Sequence, residues 1–238
     1  MQDARCRMQA TRRMRVLTVD KLGIVNYNEA LELQLSLLNK IRHGEVGDTL
    51  LLLEHPPTFT LGRRGKTEHL LKDQEELKNS GIYFETVGRG GDITYHGPGQ
   101  LVGYPILDLN NHKCDIHLFL RNIEEVIINA LRDFHITGER KTDYTGVWVG
   151  DEKIASIGIG VKKWTTYHGF ALNVNTDLSY FAMIVPCGIP GIKMTSIKEL
   201  SGNKKDIDMS EVNDSIIEAF SRVFKMTPHV SSNLSFTL

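Results

Sequence analysis

The spacing of apolar residues changes along the chain, and each spacing predicts a type of element. Between Tyr27 and Ile41 apolar residues recur at every third or fourth position, which indicates an amphipathic helix. The run from Thr49 to Glu54 is almost continuously apolar and stops at a His-Pro-Pro sequence, as a buried strand does. Further strands are predicted over 82–87, 101–109 and 166–174, with a hairpin formed by 145–149 and 153–161.

Two further helices are predicted from the residues that can cap them. Asp115 precedes a segment with apolar residues at helical spacing, and Ser210 precedes a similar segment that ends near Phe224. Helices and strands therefore alternate, and the hairpin adds antiparallel pairing. We predict an α/β fold with a mixed β-sheet packed by helices, and a single domain over residues 16–238 because no repeat or linker marks a second one.

The charge and hydropathy of the chain exclude two classes of partner. The 28 basic and 29 acidic residues nearly cancel, so no general attraction to nucleic acid is expected. The longest apolar run, Leu50–Leu53, is far shorter than the roughly 20 residues of a membrane span. We therefore expect no binding to nucleic acid and no insertion into a membrane.

The cysteines do not form a recognisable framework. Three dispersed cysteines without a C-x-x-C pair predict neither a set of disulfides nor a zinc ribbon, so a reducing, cytoplasmic setting is the simplest expectation. His112, Cys114 and His117 lie close together, but no further matched pair of ligands follows them. We predict a loop there and no metal site.

The first fifteen residues differ from the rest of the chain, since they contain five arginines and a single acidic residue. We predict a disordered tail over 1–15. An organelle transit peptide is the alternative that this composition leaves open, although the segment has no convincing apolar face.

Two glycine-rich patterns resemble nucleotide sites and miss a required residue. The sequence 62–67 ends like a phosphate-binding P-loop, yet Thr60 occupies the position of the first glycine in that motif. The sequence from Gly88 begins like a dinucleotide-binding motif, but Ile93 replaces its last glycine. Neither pattern supports a nucleotide site.

The segment from Arg89 to Gln100 is rich in glycine and proline, which together make up five of its residues. Glycine lets a backbone approach a ligand where a β-carbon would collide. The other residues supply hydrogen-bonding groups, and Tyr95 adds a ring that suits an acyl chain. We favour a ligand-binding loop, with an elaborate structural loop as the alternative.

Cys187 lies in the turn Val185–Gly191, which contains two prolines and two glycines. A thiol on such a turn is held away from helix and strand cores. Exposure beside a cation makes a cysteine reactive, whereas burial in apolar surroundings makes it inert. The turn therefore favours acyl transfer through a thiol, with a small apolar filler as the alternative.

Several of these segments, taken in order, resemble one family. The segment 89–100 with Tyr104–Leu109 is similar to a motif of the lipoyl(octanoyl) transferases, and later blocks of the chain resemble the further motifs of that family. These blocks are 145–149, 153–159, 168–174 and 185–189. The similarity extends from about Val16 to Phe224. One glycine-rich turn would be weak evidence, but several blocks in register are specific.

The resemblance implies transfer of an octanoyl group from octanoyl-acyl carrier protein to a specific lysine of a lipoyl domain. The acceptors it implies are E2 subunits of 2-oxoacid dehydrogenases and the glycine cleavage H protein. Cys187 is implied as the nucleophile that forms an acyl-thioester, and Lys153 as the cation that activates it. An ordinary thiol is only about 3% thiolate at pH 7, and a neighbouring ammonium favours the charged form.

The resemblance also implies the fold of the biotin and lipoate protein ligase catalytic domains, acting here as a monomer without metal or ATP. His168 is assigned a supporting role, and backbone N–H groups near Gly188 or Ser156 are expected to stabilise an oxyanion. For His96 and His168, a structural imidazole is the alternative. The residues implied in substrate binding are Arg89, Gly90, Gly91, Asp92, Ile93, Thr94, Tyr95, His96, Ser156, Ile157, Gly158, Gly169, Phe170 and Ala171.

Three alternatives remain open at this point. A lipoate ligase would share the fold but adenylate a free acid with ATP, which would leave Cys187 without a role. An amidotransferase would take octanoyl from another lipoyl domain and would also use a cysteine. A non-catalytic acyl-binding scaffold would explain the glycine-rich loop and leave the pairing of Cys187 with Lys153 as coincidence.

Overall fold

The computed structural model describes residues 15–202 and 205–231. Within these residues the chain forms twelve β-strands and five α-helices, joined by loops and short 3₁₀ turns. In chain order they are β1 (Arg15–Ile24), α1 (Tyr27–His43), β2 (Thr49–Glu54), β3 (Thr58–Leu61), α2 (Gln74–Asn79), β4 (Tyr83–Thr86), β5 (Ile93–His96), β6 (Gln100–Ile106), α3 (Ile116–Arg132), β7 (Glu139–Lys141), β8 (Tyr144–Val149), β9 (Glu152–Lys162), β10 (Thr165–Asn173), β11 (Lys193–Met194), α4 (Ile197–Ser201), α5 (Met209–Phe224) and β12 (Met226–Val230).

Nine of the described strands form one large sheet in the order β12-β1-β2-β6-β10-β9-β8-β7, with β11 alongside β9. The strands β12, β1 and β2 are parallel, and the neighbouring pairs from β2 to β7 are antiparallel. The remaining three form a small sheet in the order β4-β3-β5. The predicted α/β fold with a mixed sheet is confirmed.

Strand β2 shows how the large sheet is covered on both faces. Leu50 and Leu52 belong to the core formed with α3 and α5, whereas Leu51 and Leu53 belong to the core formed with α1. Successive side chains of a strand point to opposite faces, so a strand between two helical layers needs a continuous apolar run. That run is the feature from which the sequence predicts this strand.

The small sheet has a third core of its own. Phe59 and Tyr95 from this sheet pack with Phe181 and Ile184, which follow β10 in the chain. This packing fixes the segment that leads directly into the turn of Cys187. The candidate site therefore forms where the small sheet meets β9 and β10 of the large one.

Local chemistry explains where the structure differs from the sequence prediction. Asp115 caps α3 as predicted, but α5 is capped by Asp208 and not by Ser210, because the Asp208 carboxylate accepts the Ser210 N–H at 2.8 Å. The strand β12 contains Pro228 and was not predicted. It tolerates proline because it lies at the edge of the sheet. Arg15, predicted as part of the tail, begins β1, and residues 1–14 lie outside the described residues.

Helix lengths bear on membrane insertion. Across 15–202 and 205–231, no helix combines the length and the apolar character that crossing a bilayer requires.

Candidate active site

The turn that carries Cys187 has a left-handed backbone, with φ of 59° at Cys187 and 68° at Gly188. Gly188 N–H donates to Val185 O at 2.9 Å, so the turn is closed by its own backbone. The Gly188 N–H is therefore already paired, and stabilisation of an oxyanion by other N–H groups near Gly188 or Ser156 stays a prediction. A non-glycine residue in this conformation is uncommon and tends to occur where a side chain is held for function.

Lys153 directs its amine at this thiol. Lys153 Nζ lies 3.2 Å from Cys187 Sγ, and Ser156 Oγ lies 3.8 Å from the same sulfur. Lys153 is only 2% exposed, and its Nζ lies 5.6 Å from the centroid of the Trp148 ring. In the described part of the chain no carboxylate pairs with Lys153. We call Cys187, Lys153 and Ser156 the thiol side of the site.

Strand β8 leaves room for the lysine because residue 146 is glycine. A β-carbon on Gly146 would lie 2.6 Å from Lys153 Cε and 2.6 Å from a backbone oxygen of β9, and the φ of 139° also favours glycine. Gly146 N–H donates to Glu124 Oε1 at 3.1 Å. That buried carboxylate is neutralised by Arg121 and Arg140, which lie 2.8 Å and 3.1 Å from it. Helix α3 thus fixes the strand that packs over Lys153.

Strand β5 divides the glycine-rich motif between two environments. Ile93 and Tyr95 point into the core of the small sheet, where Tyr95 stacks on Tyr180 with ring centroids 4.5 Å apart. Thr94 and His96 point to the opposite face and line the cavity beside the thiol. The expectation that Tyr95 offers its ring to an acyl chain therefore does not match the structure, since strand alternation turns that ring into the core.

Arg89 is buried beside both the cavity and the small sheet. Its Nη2 donates to Thr60 O at 2.6 Å and to Thr60 Oγ1 at 2.8 Å, and its Nη1 donates to Gly90 O at 3.0 Å. Burial lowers the pKa of the guanidinium from its ordinary value, and nearby Tyr27 and Cys187 oppose that shift. These contacts hold the glycine-rich loop with a cation close to the thiol.

A cluster of aromatic and imidazole rings faces the cavity beyond Arg89. Tyr27 and His96 stack with centroids 5.8 Å apart, and Tyr27 Oη lies 3.4 Å from His168 Nδ1. Behind them, His55 Nε2 lies 2.7 Å from Tyr104 Oη. We call Tyr27, His96, Tyr104 and His168, together with His55 behind them, the imidazole side of the site.

The backbone of His168 explains how β10 contributes to this cluster. Phe170 packs in the core formed with α3 and α5, and regular alternation would direct His168 the same way. The φ of His168 is instead 56°, and its ring contacts Tyr27 of α1 while its N–H donates to Gln34 Oε1 at 2.7 Å. His168 Nε2 and Gln34 Nε2 are buried without a hydrogen-bond partner in the described part of the chain.

The imidazole side is electrically neutral. Burial lowers the pKa of His55 to about 4 and that of His168 to about 3, and it holds the pKa of His96 well below its ordinary value. Burial also raises the pKa of Tyr27 to about 12 and that of Tyr104 well above its usual range. Near pH 7 these rings are therefore uncharged and act as hydrogen-bonding groups.

The two sides line one cavity of about 440 Å³, which lies in the size range of small-molecule sites. Of the residues predicted for the site, Ile93 and Tyr95 do not line it. The predicted residues that do are Arg89, Gly90, Gly91, Asp92, Thr94, His96, Lys153, Ser156, Ile157, Gly158, His168, Gly169, Phe170, Ala171 and Cys187.

Sequence reasoning missed several residues of this site. Tyr27 appears in the sequence only as the start of a predicted helix, and Trp148 only as an apolar strand residue. The signal that could have found His69 is weaker still, because its partner Asp92 lies 23 positions away; the two side chains meet at 2.8 Å. Folding, and not spacing, brings Tyr27 to the cavity, the Trp148 ring next to Lys153, and His69 next to Gly188.

The cluster considered for metal binding is used differently. His112 Nε2 lies 2.8 Å from Asp48 Oδ2, in a pair that does not line the cavity. Among residues 15–202 and 205–231, no group of three His, Cys, Asp or Glu side chains is placed to hold a metal ion.

Comparison with known proteins agrees with this geometry. Residues 26–221 match the family model described as lipoyl protein ligase A/B catalytic domain. An octanoyltransferase of Desulforamulus reducens is 46% identical over 215 residues, which cover 90% of this chain and 93% of the relative. An octanoyltransferase of Caldicellulosiruptor saccharolyticus is 50% identical over 211 residues, covering 87% and 88% of the two chains.

Among solved structures, a lipoate-protein ligase A bound with ATP superposes with a TM-score of 0.73. The match covers 94% of this chain and 90% of that one at 17% identity, so it shows a common fold alone. The family match and the extent of identity carry the assignment further. This chain belongs to the lipoyl protein ligase A/B catalytic domain family and, within it, to the octanoyltransferases.

Proposed function

We propose that Cys187 carries the octanoyl group as a thioester between a donor, acyl carrier protein, and an acceptor, a lysine of a lipoyl domain. The observation that supports this most directly is the contact of 3.2 Å between Lys153 Nζ and Cys187 Sγ. A non-catalytic scaffold needs no such pairing of a left-handed cysteine with a buried lysine. A ligase that adenylates a free acid needs no nucleophilic thiol.

The surroundings of Lys153 favour an ion pair with the thiolate. A buried ammonium is costly unless an anion compensates it. Since no carboxylate of the described chain pairs with Lys153, the sulfur at 3.2 Å is the anion within reach. Attraction by the ammonium then favours the charged sulfur, which is the reactive form.

In the first half-reaction the Cys187 thiolate attacks the carbonyl carbon of the donor thioester. A new C–S bond forms to Cys187 while the bond to the donor sulfur breaks, and the donor leaves as a thiolate that takes up a proton from solvent. Lys153 stabilises the thiolate before attack. Because one thioester replaces another, no external source of energy is required.

In the second half-reaction the lysine amine of the lipoyl domain attacks the acyl-enzyme. A C–N bond forms, the C–S bond to Cys187 breaks, and an amide replaces the thioester. With the sulfur acylated, Lys153 no longer has an anion next to it, and in the proposed mechanism it gives its proton to solvent and then, as a neutral amine, accepts one from the attacking amine. Formation of the amide is downhill, and we propose that neither ATP nor a metal takes part.

The cavity suits an octanoyl chain near this pair. Ser156 and Ala171 are paired across β9 and β10, and Ala171 is paired with Val102 of β6 on its other side. These three residues line the cavity together with Tyr104, which belongs to the same core as Ala171 and Val102. We propose that the chain extends from Cys187 along these residues towards the imidazole side.

The test is intact-mass measurement after incubation with octanoyl-acyl carrier protein, followed by addition of a lipoyl domain without ATP. We expect one octanoyl adduct on the wild-type protein. We expect no adduct on Cys187→Ala. The adduct should then pass to the lipoyl domain. Absence of an adduct, with lipoylation only when ATP and free acid are supplied, would overturn the proposal.

The identity of the acyl donor distinguishes the proposed transferase from an amidotransferase. An amidotransferase forms the same adduct on Cys187 when an octanoylated lipoyl domain is supplied. Comparing the rates of acylation from that protein and from octanoyl-acyl carrier protein therefore decides between the two. We expect the acyl carrier protein to be the faster donor.

A further inference from the structure

His69 and Asp92 form a pair that packs against Gly188 in the turn of Cys187. His69 Nδ1 lies 2.8 Å from Asp92 Oδ2, and the two side chains are 19% and 11% exposed. We infer that this pair positions the nucleophile by holding the turn that carries it. The inference rests on the proposed function, because it assumes that Cys187 is acylated.

The backbone beside His69 is bound directly to the chain that leads to the nucleophile. Val185 N–H donates to His69 O at 2.8 Å, and Leu71 N–H donates to Met183 O at 2.9 Å. Leu70 and Ile184 form an antiparallel bridge between these two bonds. Residues 69–71 therefore hold residues 183–185 through backbone hydrogen bonds. Because His69 belongs to the first segment, its orientation affects the position of both.

The side chain of Asp92 connects this support to the glycine-rich motif. Its Oδ1 accepts the Ile93 N–H at 2.6 Å, while Oδ2 faces His69. A β-carbon on Gly188 would lie 2.6 Å from Asp92 Oδ2 and 3.1 Å from His69 Cε1. The pair thus packs against the residue that immediately follows the nucleophile, where only glycine fits.

The turn needs such support because its conformation is unfavourable for cysteine. Cys187 and Gly188 are consecutive residues with positive φ, and strained backbone persists only where its surroundings over-determine it. Loss of the pair would let the turn relax and move Sγ away from Lys153 Nζ. A misplacement of about 1 Å at reacting atoms costs on the order of 100-fold in rate.

A second pair of the same chemistry provides a matched control. His112 Nε2 lies 2.8 Å from Asp48 Oδ2, and these side chains are 9% and 7% exposed. Neither residue lines the cavity. Removing this pair should lower stability as much as removing His69, without any effect on Cys187.

The experiment compares His69→Leu, His69→Asn and His112→Leu by the alkylation rate of Cys187 at pH 6.5, by single-turnover acylation, and by Tm. We expect His69→Leu to slow alkylation and acylation by about 10- to 100-fold with little change in KM. His69→Asn keeps a donor near the position of Nδ1 and should recover most of the loss. His112→Leu should lower Tm and leave the alkylation rate within about twofold of wild type. Equal alkylation rates in folded His69→Leu and wild type would overturn the inference.

A pair of alanine variants keeps the test open if His69→Leu does not fold. Gly188→Ala introduces the collision with Asp92, whereas Gly191→Ala has a similar φ of 74° and open space around the new β-carbon. Both variants place alanine at a positive φ, so both carry the same kind of backbone strain. If alkylation slows at least tenfold more in Gly188→Ala than in Gly191→Ala, the difference is due to the contact with His69 and Asp92. Equal losses would contradict the inference. Failure of the wild-type protein to form an octanoyl adduct would refute the proposed function instead, so the two failures are distinguishable.

Discussion

The thiol side and the imidazole side of the cavity are both buried and polar, yet they are built on opposite electrostatic principles. The thiol side holds a lysine whose ammonium has a sulfur 3.2 Å away and no carboxylate partner in the described chain. The imidazole side holds rings whose pKa values are displaced by burial so that they stay neutral. The thiol side thus holds a lysine next to the proposed nucleophile, whereas the imidazole side holds neutral hydrogen-bonding groups along the cavity.

The comparison teaches how burial produces two outcomes. Taking a titratable group out of water disfavours its charged form, unless a second charge compensates it. His168 is near Arg89 and Arg63, so its surroundings reinforce the effect of burial. Lys153 instead faces an ionisable thiol. The two sides therefore differ in the group that faces the buried side chain, which is a thiol for Lys153 and cationic arginines for His168.

The largest expected effect comes from Lys153→Met, which removes the amine of the thiol side while keeping an unbranched side chain that is one atom shorter. We expect both half-reactions to slow by about 10²- to 10⁴-fold, measured by single-turnover acylation and by transfer to the lipoyl domain. Lys153→Arg sharpens the test, since it keeps a cation but cannot give up its proton, so acylation should suffer less than transfer. Normal acylation at neutral pH in Lys153→Met would contradict the assigned role.

A smaller effect is expected when the room around Lys153 is reduced. Gly146→Ala places a β-carbon 2.6 Å from Lys153 Cε, and we expect acylation to slow by about 100-fold because the amine is displaced. Gly150→Ala in the same hairpin is the control, since its φ of 56° also disfavours alanine but its β-carbon meets nothing within 4 Å. Similar acylation rates in the two folded variants would contradict this account.

The neutrality of the imidazole side predicts a dependence of stability on pH. Unfolded histidine has a pKa of about 6.5, whereas the folded-state pKa values are about 4 for His55 and about 3 for His168. The unfolded chain therefore takes up protons first as the pH falls. The free energy of unfolding should be unaffected by these groups above pH 6.5 and should fall below it, by about 1.4 kcal/mol per pH unit for each histidine, until the folded-state pKa is reached.

Urea unfolding between pH 7 and pH 4.5 measures this slope. His55→Gln should reduce it, and His43→Gln provides the control because His43 is largely exposed. A slope that is unchanged in His55→Gln would show that the imidazole side does not contribute as described.

The smallest effect is expected from Tyr27→Phe, which removes a hydroxyl from the imidazole side. The contact with His168 Nδ1 is long, at 3.4 Å, and no reacting atom lies there. We expect a change in KM of a few-fold, with Cys187 alkylation unchanged, because a single neutral hydrogen bond contributes about 1 kcal/mol. A large fall in the alkylation rate of Cys187 in Tyr27→Phe would show that the imidazole side controls the reactivity of the thiol, contrary to this account.

Different parts of this molecule differ in how far the sequence predicts them. The strand β2 is predicted because its two faces lie in two cores, and burial on both faces requires a continuous apolar run in the sequence. The strand β5 was interpreted as a loop, since glycines surround it and its four residues alternate between a core and a cavity. Periodicity needs more than four residues to be recognised.

The site shows the same division. Cys187 and Lys153 are found through motifs that lie in continuous stretches of sequence. The pair of His69 with Asp92, and the ring cluster around Tyr27, arise from contacts between distant segments. No local pattern encodes such contacts, because they depend on how the small sheet and α1 pack against the large one.

The pairing of β12 with β1 joins strands from opposite ends of the described chain. Arg15 is aligned with Met226 and Val19 with Val230. During synthesis, β1 therefore cannot pair on this side until β12, the last described strand, has been made. Until then β1 presents an unpaired edge, the kind of surface by which nascent chains join one another. Pro228 lies on the strand that finally covers it and cannot donate a hydrogen bond to a further strand. Pairing with β12 thus covers an edge of β1 that would otherwise be open to a strand from another chain.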